Sequence, residues 1–257
     1  MLSVRNVRKS YAGVMALRDV SMDFGSGLTA IVGDNGAGKS TLMKILSGVT
    51  SADAGTIMLD GNPVVLHSPT QARRLGIESL YQDLALADTL DVASNVFLGR
   101  ELTYRRLGLL RTLNNRAMAH AAEETLRMVG IRVPSVKAPV RQLSGGQRQA
   151  VALARAMYFS AQVILLDEPT AALGPRETAA FTAIVAGFVA RGATVIMVTH
   201  NLPQVIDTAE RIVVMRAGSV VATFDRGEVT EEALVGLMVG SAGFTRPAEQ
   251  QREQSAS

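Results

Sequence analysis

Nine consecutive residues, Gly33-Asp34-Asn35-Gly36-Ala37-Gly38-Lys39-Ser40-Thr41, follow the spacing G-x-x-x-x-G-K-[ST]. Glycines let backbone N–H groups turn inward around phosphate oxygens without side-chain clash. A helix beginning at Lys39 adds its N-terminal dipole. Lys39 is placed to reach the β- and γ-phosphates of a nucleotide, and Ser40 to ligate Mg²⁺. The alternative is an ordinary glycine-rich turn between a strand and a helix. The apolar run Leu28–Val32 before the loop and the helical pattern Lys39–Ser47 after it favour the phosphate reading.

Two further segments suggest chemistry of the same kind. Val163-Ile164-Leu165-Leu166-Asp167-Glu168-Pro169 is an apolar strand ending in two carboxylates. Charge at the tip of a buried strand is costly unless it meets a cation. Asp167 suits Mg²⁺ held through water; Glu168, one step on, points elsewhere and suits orienting an attacking water. Taken alone this pattern is weak, because strands leaving a core often end in charge. Leu143-Ser144-Gly145-Gly146-Gln147 opens a helix pattern over 147–159. Ser144 is a good N-cap, and the paired glycines suggest a second anion site. Two such sites in one chain suggest a nucleotide gripped from two sides.

The elements that position these residues are legible in outline. Leu2–Val7, Leu17–Phe24 and Leu28–Val32 are predicted strands. Thr56–Leu59 and Val64–Leu66 frame a turn at Asp60-Gly61-Asn62-Pro63. From about Asp88 to Arg155 apolar residues recur every three or four positions, which predicts a mostly helical subdomain over 88–157. Within it Ala117–Val129 is a predicted amphipathic helix capped by Gly130. Val163–Leu166, a helix over 175–190 and Thr194–Val198 form a βαβ unit with buried parallel strands. Arg211–Met215 and Val220–Phe224 meet at Ala217-Gly218, and a helix over 230–239 follows. The polar tail, residues 241–257, is expected to be disordered. No internal repeat is visible.

Composition narrows the function classes. The 257 residues are 47% hydrophobic and 19% charged, enough for a buried core. No cysteine is present, which excludes a disulfide framework, a thiolate metal site and a cysteine nucleophile. The three histidines, His67, His120 and His200, are too scattered for a metal cluster. Net charge is +3, and only Lys9, Lys39, Lys44 and Lys137 are lysines, so no basic tract supports nucleic-acid binding. No charge-free stretch reaches the ~20 residues of a membrane span. The first ten residues lack an apolar signal core, so a cytoplasmic chain is expected.

The set of motifs resembles the nucleotide-binding subunit of an ATP-binding cassette (ABC) transporter, from Leu2 to about Gly240. Residues 33–41 resemble its Walker A motif and 163–168 its Walker B motif, while LSGGQ at 143–147 is the highly specific family signature. Gln82 in YQD resembles the Q-loop glutamine, His200 in VTHNLP the switch histidine, and Tyr11 the aromatic that stacks on adenine. The resemblance implies an α/β fold: a P-loop NTPase (RecA-like) core with an antiparallel β subdomain, over 1–87 and 158–240, and an α-helical signature subdomain over 88–157. It implies ATP and Mg²⁺ as cofactors, with Ser40, Gln82 and Asp167 at the metal and Glu168, His200 and Gln82 as the catalytic set. Tyr11, Gly33 to Thr41, and Ser144, Gly145, Gly146 and Gln147 would bind the nucleotide. One departure stands out. The family's alanine-leucine-aspartate run after Walker B reads Ala171-Ala172-Leu173-Gly174 here, and glycine supplies no carboxylate to a second ATP site.

Local strings such as GDNGAGKSTLMKILSG at 33–48, YQDLALADTLDVASNVFLGRE at 81–101 and EPTAALG at 168–174 resemble the monosaccharide-importer branch, in its single-cassette form. That branch implies a homodimer or paired cassette closing on ATP, beneath two membrane permease subunits on the cytoplasmic face of the inner membrane. A periplasmic sugar-binding protein would deliver substrate. Asp83–Asn95, apolar residues interleaved with acidic ones, is expected to line an exposed groove for a permease helix. A soluble ABC ATPase of DNA repair or translation is the rival, but the coiled-coil insertion or second cassette typical of those proteins is not visible.

Overall fold

The computed structural model describes residues 1–80, 86–106, 110–128, 133–171 and 173–241. They form β1 (Leu2–Tyr11), β2 (Val14–Phe24), β3 (Gly27–Val32), α1 (Lys39–Leu46), β4 (Ala54–Leu59), β5 (Asn62–Val64), α2 (Pro69–Arg74) and β6 (Ile77–Leu80). Next come α3 (Val92–Val96), β7 (Thr103–Arg106), β8 (Leu110–Leu113), α4 (Asn115–Met128) and α5 (Gly145–Tyr158). The rest are β9 (Val163–Asp167), α6 (Pro175–Ala190), β10 (Thr194–Val198), α7 (Leu202–Thr208), β11 (Arg211–Arg216), β12 (Ser219–Asp225) and α8 (Glu231–Val239).

By its contacts the chain divides into two compact units, 1–72 with 196–257, and 73–195. β10 therefore straddles their boundary. In the first unit β2, β1, β4 and β5 form an antiparallel sheet in that order. Leu2, Val4 and Val7 of its central β1 are fully buried. Turns Ala12-Gly13, Asp60-Gly61 and Ala217-Gly218 each carry two positive φ values, the two-residue turn whose twist matches paired strands. The second of these is tighter than the expected four-residue turn, so Asn62 and Pro63 join β5, a sheet edge where proline loses no ladder bond. Also in this unit, β3 is buried along its whole length and pairs parallel with β11, Val32 opposite Val214, and β11 pairs antiparallel with β12.

In the second unit β6 runs parallel to β9, with Leu80 opposite Leu166. A helical core gathers Val92, Phe97, Met118, Leu126, Val140 and Val151 from α3, α4, α5 and the turn before α5. The segment 88–157 is not wholly helical: β7 and β8 form a two-stranded hairpin within it. Their strands are four residues each and interrupt the apolar spacing with arginines. α4 ends at Met128; Gly130, its expected cap, and the tail beyond residue 241 lie outside the described residues. Helix α6 and strand β10 fall on their expected spans. Among the described residues no helix is long and apolar enough to cross a membrane.

Candidate nucleotide site

β3 ends at Val32 and delivers the chain into the loop 33–38, and α1 begins at Lys39. Two glycines of this loop are required by the protein itself. A Cβ on Gly33 would lie 2.3 Å from the Met215 carbonyl, and one on Gly38 would lie 2.6 Å from that of Ala16. The close approach expected of a phosphate is thus, at these two positions, an approach of neighbouring backbone. A Cβ on Gly36 would meet nothing, so that side of the loop is open.

No side chain caps α1, and its first turn carries no acidic residue. The opening N–H groups of a helix lack intrahelical acceptors, so this end is suited to an anion. Leu42, Met43, Ile45 and Leu46 bury the opposite face and fix the helix. Lys39 folds back across the loop, donating from Nζ to the carbonyls of Gly33 at 2.7 Å and Asp34 at 3.0 Å. Asp34 also closes the loop, accepting the Asn35 N–H on its side chain and the Ala37 N–H on its carbonyl. Ser40 is exposed and Thr41 half-buried. An open loop, an uncapped helix start and an adjacent lysine fit a polyphosphate.

The same unit holds Tyr11 and His200. Tyr11 ends β1, is 45% exposed, and has Lys9 Nζ 5.5 Å from its ring centroid, leaving a flat face for a purine. Asp53 holds that strand end: it accepts from Lys9 Nζ at 2.6 Å and from the Ser10 N–H and hydroxyl at 2.7 and 2.9 Å. The lysine bond, then the two serine bonds, lower the Asp53 pKa to about 2. A carboxylate depressed in the folded state stabilises it above the unfolded pKa, near 4, and that contribution fades as pH falls through about 2. Asp53→Asn is therefore expected to lower the melting temperature at pH 7, with the gap from wild type closing between pH 4 and pH 2. A gap that is constant across that range in thermal melts would remove Asp53 from this role.

His200 stands just past the buried β10, yet is itself exposed. Its carbonyl accepts the Leu202 N–H, and Asn201 caps α7 by accepting the Gln204 N–H. The histidine is therefore fixed at its backbone and lies at the surface, not in the core.

In the second unit, β9 presents Asp167 at its tip, and Glu168 follows with φ of 49°. A left-handed glutamate is strained by roughly 1–3 kcal/mol and persists only where its surroundings impose it. One restraint is visible: the buried Gln149 side-chain amide of α5 donates to the Pro169 carbonyl. The sequence reading missed Gln149. Its one signal was a glutamine on a helix face otherwise filled by Ala150, Val151, Leu153 and Ala154.

Ser144 caps α5 reciprocally with Gln147: its hydroxyl accepts the Gln147 N–H at 3.3 Å, and the Gln147 side chain accepts the Ser144 N–H at 3.0 Å. A Cβ on Gly146 would lie 3.1 Å from the Glu177 side chain. Glu177 in turn accepts the Gly174 N–H at 2.9 Å. The loop that lacks an aspartate at Gly174 thus keeps an acid one helical turn later, against the signature glycine. Gly174 has an ordinary extended backbone, so its own geometry does not demand glycine.

Gln82 lies outside the described residues, as do Asp83 to Ala85. β6, the last element described before Gln82, pairs in parallel with β9, Leu80 opposite Leu166, the residue before Asp167. Beyond it, Leu86 is half-buried against the helical core, not in an exposed groove. Asn95 is fully buried and binds the carbonyls of Ala87, Leu90 and Asp91. Leu90 is the large apolar residue of this turn that projects outward, 39% exposed, beside the exposed Asp88 and Thr89. Among the described residues no three His, Asp or Glu side chains gather around a possible metal. Of the expected metal ligands, Ser40 belongs to the first unit and Asp167 to the second, and Gln82 lies outside the described residues.

A profile of the ABC transporter family matches residues 17–171, more than half of the chain. The xylose/arabinose import ATP-binding protein XylG of Sulfolobus acidocaldarius is 42% identical over 94% of this chain and 95% of its own length. The fructose import ATP-binding protein FrcA of Rhizobium meliloti is 38% identical over 96% and 97%. Among solved structures, the ATP-binding cassette MJ0796, a dimer in a post-hydrolysis state bound to ADP and Pi, superposes with a TM-score of 0.73. It is 26% identical and covers 88% of this chain and 98% of its own. With a mixed α/β fold, a phosphate loop and the family signature at a capped helix start, the chain belongs to the ABC transporter family.

Proposed function

We propose that this chain is the ATP-hydrolysing subunit of a membrane importer for a monosaccharide such as fructose, ribose or xylose. The observation that carries the proposal is the open, uncapped start of α1 behind the Gly33–Gly38 loop, with Lys39 lying across it. The sugar class comes from the full-length similarity to xylose/arabinose and fructose import subunits.

In this reading Tyr11 stacks on the adenine, and Lys39, Ser40 and Thr41 with the loop N–H groups hold the phosphates. Mg²⁺ commonly takes one or two protein oxygens and completes its octahedron with phosphate and water. The Ser40 hydroxyl and Asp167, with Gln82, are a donor set of that kind. Glu168 accepts a proton from the attacking water, and His200 donates to the γ-phosphate from an imidazole N–H. Ser144, Gly145, Gly146 and Gln147 of a second copy close over the same γ-phosphate, so ATP joins two cassettes and hydrolysis releases them. The dimer works at the cytoplasmic face of the membrane beneath two permease subunits, and a periplasmic binding protein delivers the sugar, which never touches this chain.

Leu90 supplies the test. Leu90→Asp changes an outward side chain, so it is expected to leave the melting temperature and ATP affinity of the purified chain near wild type. In vesicles reconstituted with its permease, ATP-driven sugar uptake is expected to fall at least tenfold. Undiminished uptake by the folded variant would move the permease contact away from this turn. Absence of ATP-dependent uptake of any monosaccharide with the wild-type chain would overturn the importer reading.

A further inference from the structure

Glu78 is a carboxylate that the ATPase chemistry does not use, and it is only 5% exposed, in the middle of β6. It makes an ion pair at 2.9 Å with Arg100, which lies after α3. The Arg100 guanidinium also sits over the Phe159 ring, 4.4 Å from its centroid, where α5 ends. Phe159 and its neighbour Tyr158 pack edge-to-face with each other and with Phe97 of the helical core. One side chain therefore joins β6 to the far end of the signature helix. Burial raises the Glu78 pKa, while Arg100, Arg73 and Arg155 pull it back toward the charged form.

Well-packed apolar residues of similar volume often replace a buried ion pair at no loss of stability, so such a pair is weak evidence for a purely stabilising role. What the ion pair adds is a penalty for separation, because parting the two groups leaves the Glu78 charge buried without its partner. Both ends of the link matter. Glu78 lies four residues before Gln82. α5 is 14 residues long, about 21 Å at 1.5 Å per residue, and its other end carries Ser144 and the signature glycines. A rigid helix held at Phe159 has its N-terminus aimed from that anchor.

We infer that Glu78 and Arg100 are positioning residues, a latch that sets the signature end of α5 against the strand leading to Gln82. The latch thereby governs the half of the ATP site that one copy offers to the other. This rests on the reading of the chain as a cassette that pairs on ATP. Neither Glu78 nor Arg100 belongs to the set assigned above to the phosphates or the adenine, so ATP binding by a single copy is expected to survive loss of the latch.

The test uses the full chain carrying Glu168→Gln, to hold ATP unhydrolysed, with Glu78→Gln or Arg100→Gln added. Affinity for a fluorescent ATP analogue reads the single copy, and sedimentation with Mg-ATP reads pairing. Affinity is expected to stay within twofold, while the ATP-dependent dimer weakens at least tenfold. In the otherwise wild-type chain the same changes are expected to lower kcat at an unchanged KM. A double variant, Glu78→Met with Arg100→Met, removes both charges and keeps the volume. It is expected to melt near wild type and still pair weakly, which a merely structural role would not produce. Pairing within twofold of the parent in the folded double variant would overturn the latch, as would losses of affinity and pairing that track the melting temperature. A Glu168→Gln parent that neither binds the analogue nor pairs would instead overturn the cassette reading, and the latch with it.

Discussion

Lys39→Ala is expected to cut the rate of ATP turnover by about a hundred- to a thousandfold, the scale of losing one well-placed charge-stabilising donor. The lysine is the one side chain in the phosphate loop that brings a positive charge. Its ammonium already sits across the loop mouth, shared between the carbonyls of Gly33 and Asp34. A γ-phosphate entering the open side would exchange those two neutral acceptors for charged ones. The fold should survive the change. The loop is closed independently through Asp34 and by the Leu42 N–H donating to Gly38, and α1 is buried through four apolar residues. The losses include the two hydrogen bonds to neutral carbonyls, about 1 kcal/mol each. Phosphate release at saturating ATP, ATP affinity and the melting temperature separate the effects. Unchanged kcat and KM in a folded variant would remove Lys39 from the site.

The motifs were legible because their chemistry is local: a loop, a strand tip and a helix start each declare themselves within nine residues or fewer. Buried strands such as β3 and β9 announce themselves by composition, and α6 by Pro175 at its start and Glu177 reaching back to Gly174. What stayed hidden is what joins distant positions. The Gln149 bond to Pro169 spans twenty residues and depends on one side chain turning inward. Glu78 looks like a polar residue in a short strand until Arg100 is brought to it across the helical layer. The β7–β8 hairpin was lost for another reason. Its Arg105 stands opposite Arg111, so neither strand alternates apolar with polar. In the glycine loop, what stayed hidden is that Gly33 and Gly38 are demanded by the approach of the Met215 and Ala16 carbonyls, which lie far away in the chain.

Glu168→Gln is expected to bind Mg-ATP with near-normal affinity and to hydrolyse it about 10²- to 10⁴-fold more slowly, the range assigned to a positioned general base. The amide matches the carboxylate in size and cannot accept a proton from water. The strained backbone at φ of 49° suits glutamine no worse than glutamate, and its restraint comes from the next residue, where Gln149 holds the Pro169 carbonyl. The variant therefore keeps the loop and loses the chemistry, and the melting temperature should move little. If Glu168 acts on water in an ATP site shared between two copies, blocking hydrolysis also blocks separation. The variant should then accumulate as an ATP-dependent dimer by light scattering, while the wild-type chain, turning over, returns to monomer. Removing Glu168 by Ala would also slow turnover but would leave space at the strand tip, so Gln is the sharper probe. Two results would count against the assignment. Turnover within a few-fold of wild type would mean that Glu168 is not the base. Slow turnover without a dimer would leave Glu168 in the chemistry but separate hydrolysis from the pairing on which the transport cycle depends.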